Sequence, residues 1–317
     1  MKHILISVSI LLSAFIMTIS CSPEVEIIPA ELLYQAEATT GEGSIWHPER
    51  HTLFWVDIEG KTLYEYHPDT KECSSWCFDR MVSTVVPETD STVIIALQNE
   101  IVRVNLQDGG VTSIAPIPDG NGKIRCNDGK CDPAGRLWVG TMGFGAPKGA
   151  GTLYTVSPTG EVSVKLKKVT ISNGIVWSSN KKFMYYNDTP TGKIARYRYN
   201  AGNGEILFDG IAVSLPEGTG APDGMTIDSN DRLWVAQWGG YGVYCYDPYT
   251  GELLAKVEVP VPNVASCAFG GKKMDTLYIT TARAGLSEEQ LQKYPLSGSV
   301  FSCKPGVKGV KANSFGE

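Results

Sequence analysis

The 317-residue sequence is short of positive charge: 28 Lys and Arg stand against 34 Asp and Glu, for a net −6. A chain with no basic excess offers no field for a phosphate backbone, which excludes nucleic acid as a partner class. Histidine is scarce, at 4 residues, and no two cysteines form a C-x-x-C pair. A zinc site of nitrogen and sulfur ligands therefore lacks its donors. Long amphipathic helical patterns are missing as well. The helix-like stretch is Ser287 to Lys293, with Ser287 as N-cap and Gln290 three residues on. No linker or low-complexity run interrupts residues 31–317. A chain this long is either two average domains or one large closed β architecture, and its uninterrupted repeat favours the second.

Long apolar runs are limited to one, Ile4 to Ile19, preceded by Lys2 and His3 and ended by Ser20-Cys21. It is too short, and too soon followed by polar residues, for a membrane span, and reads as a secretory signal. Thr18-Ile19-Ser20-Cys21 resembles a bacterial lipobox, with Thr18 where Leu is preferred. Residues 1–21 are thus expected to be a lipoprotein-type signal peptide ending at a lipidated Cys21. That makes the protein an exported cell-envelope lipoprotein, touching a membrane only through its anchor. The alternative is a cleaved signal with an unlipidated Cys. Seven cysteines remain, an odd number. Cys73 and Cys77 lie too far apart along an extended chain to bridge. Cys126 and Cys131 are expected on opposite sides of their segment, and most or all cysteines as free, buried small hydrophobes.

What the chain has in quantity is glycine, 34 residues, and an internal repeat. Six hydrophobic knots recur: Leu53-Phe54-Trp55-Val56, Val93-Ile94-Ile95-Ala96, Leu137-Trp138-Val139-Gly140, Phe183-Met184-Tyr185-Tyr186, Leu233-Trp234-Val235-Ala236 and Leu277-Tyr278-Ile279-Thr280. A period of about 40–50 residues is that of a propeller blade, and an alternating strand closed by Pro or Gly follows each knot. The expected fold is all-β, a six-bladed β-propeller over residues 31–317. A β-sandwich pair would not hold polar residues at fixed phase through six units.

About ten residues before each knot lies a polar cluster, containing Glu42, Ser83, Asn127, Asn173, Asp223 and Ser266-Cys267. In a propeller, equivalent positions ring the axis. Glu42, Asn127, Asn173 and Asp223 then converge on one opening as oxygen donors with two negative charges, a set suited to Ca²⁺ or Mg²⁺/Mn²⁺. Taken singly, Asn-Gly and Asp-Gly are ordinary turn dipeptides. Asp128 and Lys130 are read as turn chemistry and solvated charge.

Several runs resemble the SMP-30/gluconolactonase family, also called regucalcin-like. They are Gly41-Glu42-Gly43-Ser44-Ile45-Trp46, Arg125-Cys126-Asn127-Asp128-Gly129, Gly140-Thr141-Met142, Ile171-Ser172-Asn173-Gly174, Pro222-Asp223-Gly224-Met225 and Phe269-Gly270-Gly271. The likeness implies a propeller hydrolase opening a small-molecule sugar lactone. It implies one divalent cation held by Glu42, Asn173 and Asp223, with Ca²⁺ first and Zn²⁺, Mg²⁺ or Mn²⁺ as alternatives. It places Arg125 and Asn127 on the sugar hydroxyls. Asp223 is the candidate base that takes a proton from water. Where animal members carry acidic residues after Gly-Thr-Met, this chain reads Gly143-Phe144-Gly145-Ala146-Pro147, with Phe144 as an apolar wall. Two competing readings are a phosphotriesterase-like propeller hydrolase and a non-catalytic calcium- or ligand-binding propeller lipoprotein. No obligate protein partner is evident.

Overall fold

The computed structural model describes residues 25–317. The expected signal and Cys21 lie outside the described residues. Six antiparallel sheets follow one another along the chain: blade 1 over residues 41–77, blade 2 over 82–116, blade 3 over 124–169, blade 4 over 172–214, blade 5 over 221–258 and blade 6 over 264–303. The protein is a six-bladed β-propeller. Blade 6 supplies three strands from its own segment, and Glu31–Tyr34 from the N-terminal side pairs with Val300–Cys303 as its fourth. The ring is thereby closed by hydrogen bonds between the two ends of the chain, with Glu31–Tyr34 as the outer strand that covers Val300–Cys303. Glu26–Pro29 adds a parallel strand outside Leu253–Glu258 of blade 5. The ordered fold therefore starts ahead of residue 31.

All six knots lie on the second strand of a blade. Each such strand is packed on both faces by neighbouring blades, so it reads as a continuous apolar run rather than an alternation. Leu53, Phe54, Trp55 and Val56 have no exposed surface, and neither do Val93, Ile94, Ile95 and Ala96. Two buried aspartates brace the knots from the preceding turn. Asp132 accepts from the Arg136 amide at 3.0 Å and from Trp138 Nε1 at 2.8 Å. Asp228 repeats the pattern with Arg232 at 3.0 Å and Trp234 at 3.1 Å. The buried indole N–H groups of these two knots are thus satisfied locally.

The short helix Glu288–Lys293 forms with a full capping box on Ser287 and Gln290. All seven cysteines among the described residues are free. Cys126 and Cys131, however, belong to one core cluster rather than opposite faces. The pairing register shifts between Cys126 and Gly129, and that bulge resets the alternation.

Candidate functional site

Each blade's innermost strand carries a register shift near its start. The shifts fall between Glu42 and Ile45, Val82 and Thr84, Cys126 and Gly129, Asn173 and Ile175, Pro222 and Met225, and Val264 and Ser266. A bulge re-aims a side chain and bends its strand. Here the same device six times over brings the polar residues to one end of the axis. Asn173-Gly174 and Asp223-Gly224 are therefore strand bulges, not turns. Their glycines answer to crowding: a Cβ on Gly174 would stand 2.6 Å from the Asp223 carbonyl and 2.3 Å from Asn187 Nδ2.

Glu42 and Asp223 meet here, both buried. Burial first and then Asp128 push the Glu42 carboxyl up to about 8. Burial and the facing Glu42 raise Asp223 well above the usual carboxylate range. Two carboxylates held together out of water resist joint ionisation unless a cation accompanies them.

A directed chain of hydrogen bonds runs beside this pair. Arg125 Nη1 donates to Asn127 Oδ1 at 2.6 Å. Asn127 Nδ2 donates to Ser172 O and to Asn173 Oδ1, each at 2.8 Å. Asn173 Nδ2 donates to Thr189 Oγ1 at 2.8 Å, and Thr189 Oγ1 donates to Pro222 O at 2.8 Å. A guanidinium only donates and a carbonyl only accepts, so the two ends fix the direction of every link. Both amides are locked, and Asn173 Oδ1 faces Asn127. Arg125 uses Nη1 in this chain and on Cys126 O, which leaves its other donors for a ligand.

Among the described residues no three His, Cys, Asp or Glu cluster as a metal site. The set consists instead of two carboxylates and amide oxygens. It fits a hard divalent cation, because acceptors here lack donors: Asp223 Oδ1, Asn187 Oδ1 and Gln237 Oε1 are buried without hydrogen-bond partners.

Ser83 and Ser266 sit at the same phase but turn away from the group. Ser83 Oγ donates to Ala96 O, and Ser266 Oγ bonds the amide and hydroxyl of Ser44. Phe144 is 43% exposed on the hairpin after Gly143. Asp128 and Lys130 overturn their sequence reading, since neither is a solvated surface group. Asp128 is buried, with burial raising its carboxyl. Lys130 Nζ donates to Met225 O, and burial lowers its ammonium.

Sequence reasoning missed Asn187, Thr189 and Gln237. A signal existed for two of them. The residue directly after each knot is Asp57, Leu97, Thr141, Asn187, Gln237 or Thr281, and all six are buried. Five polar residues at one phase of a buried strand mark a second ring of donors and acceptors. Asn187 Nδ2 donates to the Asp223 carbonyl at 2.8 Å.

Residues 40–283 match the family model described as "SMP-30/Gluconolactonase/LRE-like region". The chain belongs to this family. Among relatives, it is 36% identical over 287 residues to a Bacillus subtilis (strain 168) protein, YvrE, provisionally named a sugar lactone lactonase. That match covers 90% of this chain and 98% of the relative. It is 33% identical to regucalcin of Oryctolagus cuniculus, covering 91% and 98% of the two chains. Among solved structures, a calcium-binding regucalcin of Agrobacterium tumefaciens superposes with a TM-score of 0.87 at 27% identity, over 92% of this chain and 99% of that one. The family's propeller thus extends over nearly the whole described chain.

Proposed function

We propose that this propeller is a divalent-metal-dependent hydrolase that opens the lactone ring of an aldonic acid, with Ca²⁺ as the first candidate cation. The observation that carries the reading is the buried meeting of Glu42 and Asp223 beside the locked amide of Asn173. A relative named for lactonase activity and another titled calcium-binding support it. Glu42, Asn173 and Asp223 would hold the cation, which when bound supplies Lewis-acid polarisation of the lactone carbonyl.

The chain's own residues do the remaining work. Arg125 and Asn127 bind and orient the sugar hydroxyls. A forked guanidinium suits vicinal oxygens, and its link to Asn127 fixes its aim. Asp223 Oδ1 has no donor within the protein and is free to take a proton from the attacking water. Water adds to the carbonyl carbon as the ring C–O bond breaks, and the proton passes to the departing ring oxygen. The product is the open hydroxy acid. Against the binding-protein reading stands this pairing of a hydroxyl-binding guanidinium with a buried carboxylate that lacks a donor. We further propose that the protein is exported and anchored through Cys21.

A panel of aldonolactones assayed by pH-stat, with and without EDTA, tests the activity. The expected result is acid release that EDTA abolishes and added divalent cation restores. No acid release from any lactone would overturn the proposal.

A further inference from the structure

The inner strands run away from the proposed catalytic mouth, and their far ends enclose a second space. A cavity of about 120 Å³ lies among Ser44–Trp46, Lys130–Cys131, Val176–Trp177, Thr226–Ile227 and Ala268–Phe269. They lie in the later halves of five inner strands, four of which carry Glu42, Asn127, Asn173 and Asp223 nearer their starts. The cavity therefore belongs to the opposite mouth of the axis.

The C-terminal segment forms one wall of it. Gly309 is tied to Met274 O at 2.8 Å, and a Cβ there would strike the Phe269 ring, at 2.0 Å from its Cβ. Beyond the axis, Phe315 is buried and donates to Pro87 O at 2.8 Å, while Gly316 donates to Gly135 O at 2.9 Å. Between these moorings, residues 310–313 line the cavity, with Asn313 Nδ2 on Cys131 O at 3.0 Å. The chain end is thus a strap across the mouth.

The lining combines aromatic walls with charge of one sign. Trp46, Trp177 and Phe269 contribute rings. The exposed Lys181 and Lys311 stand at its rim, the Lys130 ammonium is taken up by Met225 O, and no Asp or Glu lines the space. Neither Lys181 nor Lys311 is in an ion pair among the described residues. Asp132 and Glu317 line an adjoining hollow with Lys181, where Asp132 is paired with Arg136 and Glu317 accepts from Ser314 N at 3.3 Å. Asp231 accepts from Ser179 N and Oγ, and Asp128 faces Lys130 from the catalytic side. In a chain of net charge −6, a cavity lined by no acid and rimmed by two lysines is a local reversal of sign. Apolar walls reward a hydrocarbon body, and unpaired ammonium groups reward a carboxylate. An apolar cavity of roughly 150 Å³ accepts benzene, so the available volume suits one ring or a short chain.

We propose that this mouth binds a small amphipathic carboxylate, with an aromatic or short aliphatic body, under the C-terminal strap. The site is separate from the proposed lactone site, so its test requires no lactone. Benzoate, benzyl alcohol and gluconate would each be titrated into the full chain by calorimetry, with thermal melts in parallel. Benzoate is expected to bind and raise Tm. Benzyl alcohol, lacking the charge, and gluconate, lacking the apolar body, should each bind at least about tenfold more weakly. Lys311→Met and Lys181→Met lie on exposed positions and should fold; each is expected to weaken benzoate several-fold. Ala268→Leu fills the cavity and should abolish binding. Arg125→Ala, at the other mouth, should leave benzoate affinity unchanged. Three results would each overturn the proposal: no benzoate binding, equal affinity for benzoate and benzyl alcohol, or loss of binding in Arg125→Ala.

Discussion

Asn127 Nδ2 donates to Asn173 Oδ1 at 2.8 Å, so a residue of the proposed sugar-binding pair holds the amide of a proposed metal ligand. The far side of Asn173 is held by Thr189, whose hydroxyl both accepts from Asn173 and donates to Pro222 O. Thr189→Val keeps the shape and removes both links. It strands a donor on Asn173, at a cost of about 1–3 kcal/mol. We expect metal affinity to fall about tenfold, with Thr189→Ser restoring it. Calorimetric cation titration of the two variants checks this, and unchanged affinity in Thr189→Val would remove Thr189 from the account.

Arg125 reaches the site through its hydrogen bond to Asn127 and contacts neither carboxylate within ion-pair distance. Arg125→Ala should lower kcat/KM on a sugar lactone by roughly ten- to a hundredfold, as expected for about 1–3 kcal/mol of lost polar contact. Metal content should stay near one per chain. Steady-state kinetics together with elemental analysis separates the two effects, and an unchanged kcat/KM would leave Arg125 a bystander.

The raised carboxyls make the metal-free protein sensitive to alkali. Glu42 sits at about 8 when folded, above its ordinary value, and Asp223 is raised as well. Between the ordinary carboxylate range and these folded values, the native state binds more protons than the unfolded one. Stability must then fall as pH rises through that window. Chelator-treated protein is expected to melt lower at pH 8.5 than at pH 5.5, in scans made without metal. Added cation should raise Tm more at the higher pH, because it favours the ionised pair that protons oppose. A Tm that rose with pH in the metal-free state would contradict the paired-carboxylate geometry.

Much of this was legible in the residues, and what was not has physical reasons. The knots announced themselves because a strand buried on both faces is apolar along most of its length. Asn173 and Asp223 stand ten residues before their knots and Glu42 eleven, and a bulge near the start of each inner strand brings all three to one end of the axis. Thr189 was hidden, since it lies in the Thr189–Thr191 turn, outside any strand period. Lys130 was misread because a lysine in isolation is a surface residue, and only the closed ring takes its ammonium from solvent. The Cys126–Cys131 alternation failed for the reason that makes the site possible: the bulge changes which face follows which.

Anchoring has its own test. Mass spectrometry of the mature protein is expected to show an acylated N-terminal Cys21. The first described strand begins at Glu26. Five residues reach at most about 18 Å, so an anchor would hold blade 5 close to the bilayer. An N-terminus elsewhere, or an unmodified Cys21, would leave the propeller without a lipid anchor.

In the proposed function, Asp223 holds, with Glu42 and Asn173, the cation on which turnover depends. Calorimetric titration of Ca²⁺ into chelator-stripped wild-type and Asp223→Ala protein tests it most directly. One site per chain is expected in the wild type and none in the variant. Stoichiometric binding by Asp223→Ala would contradict it.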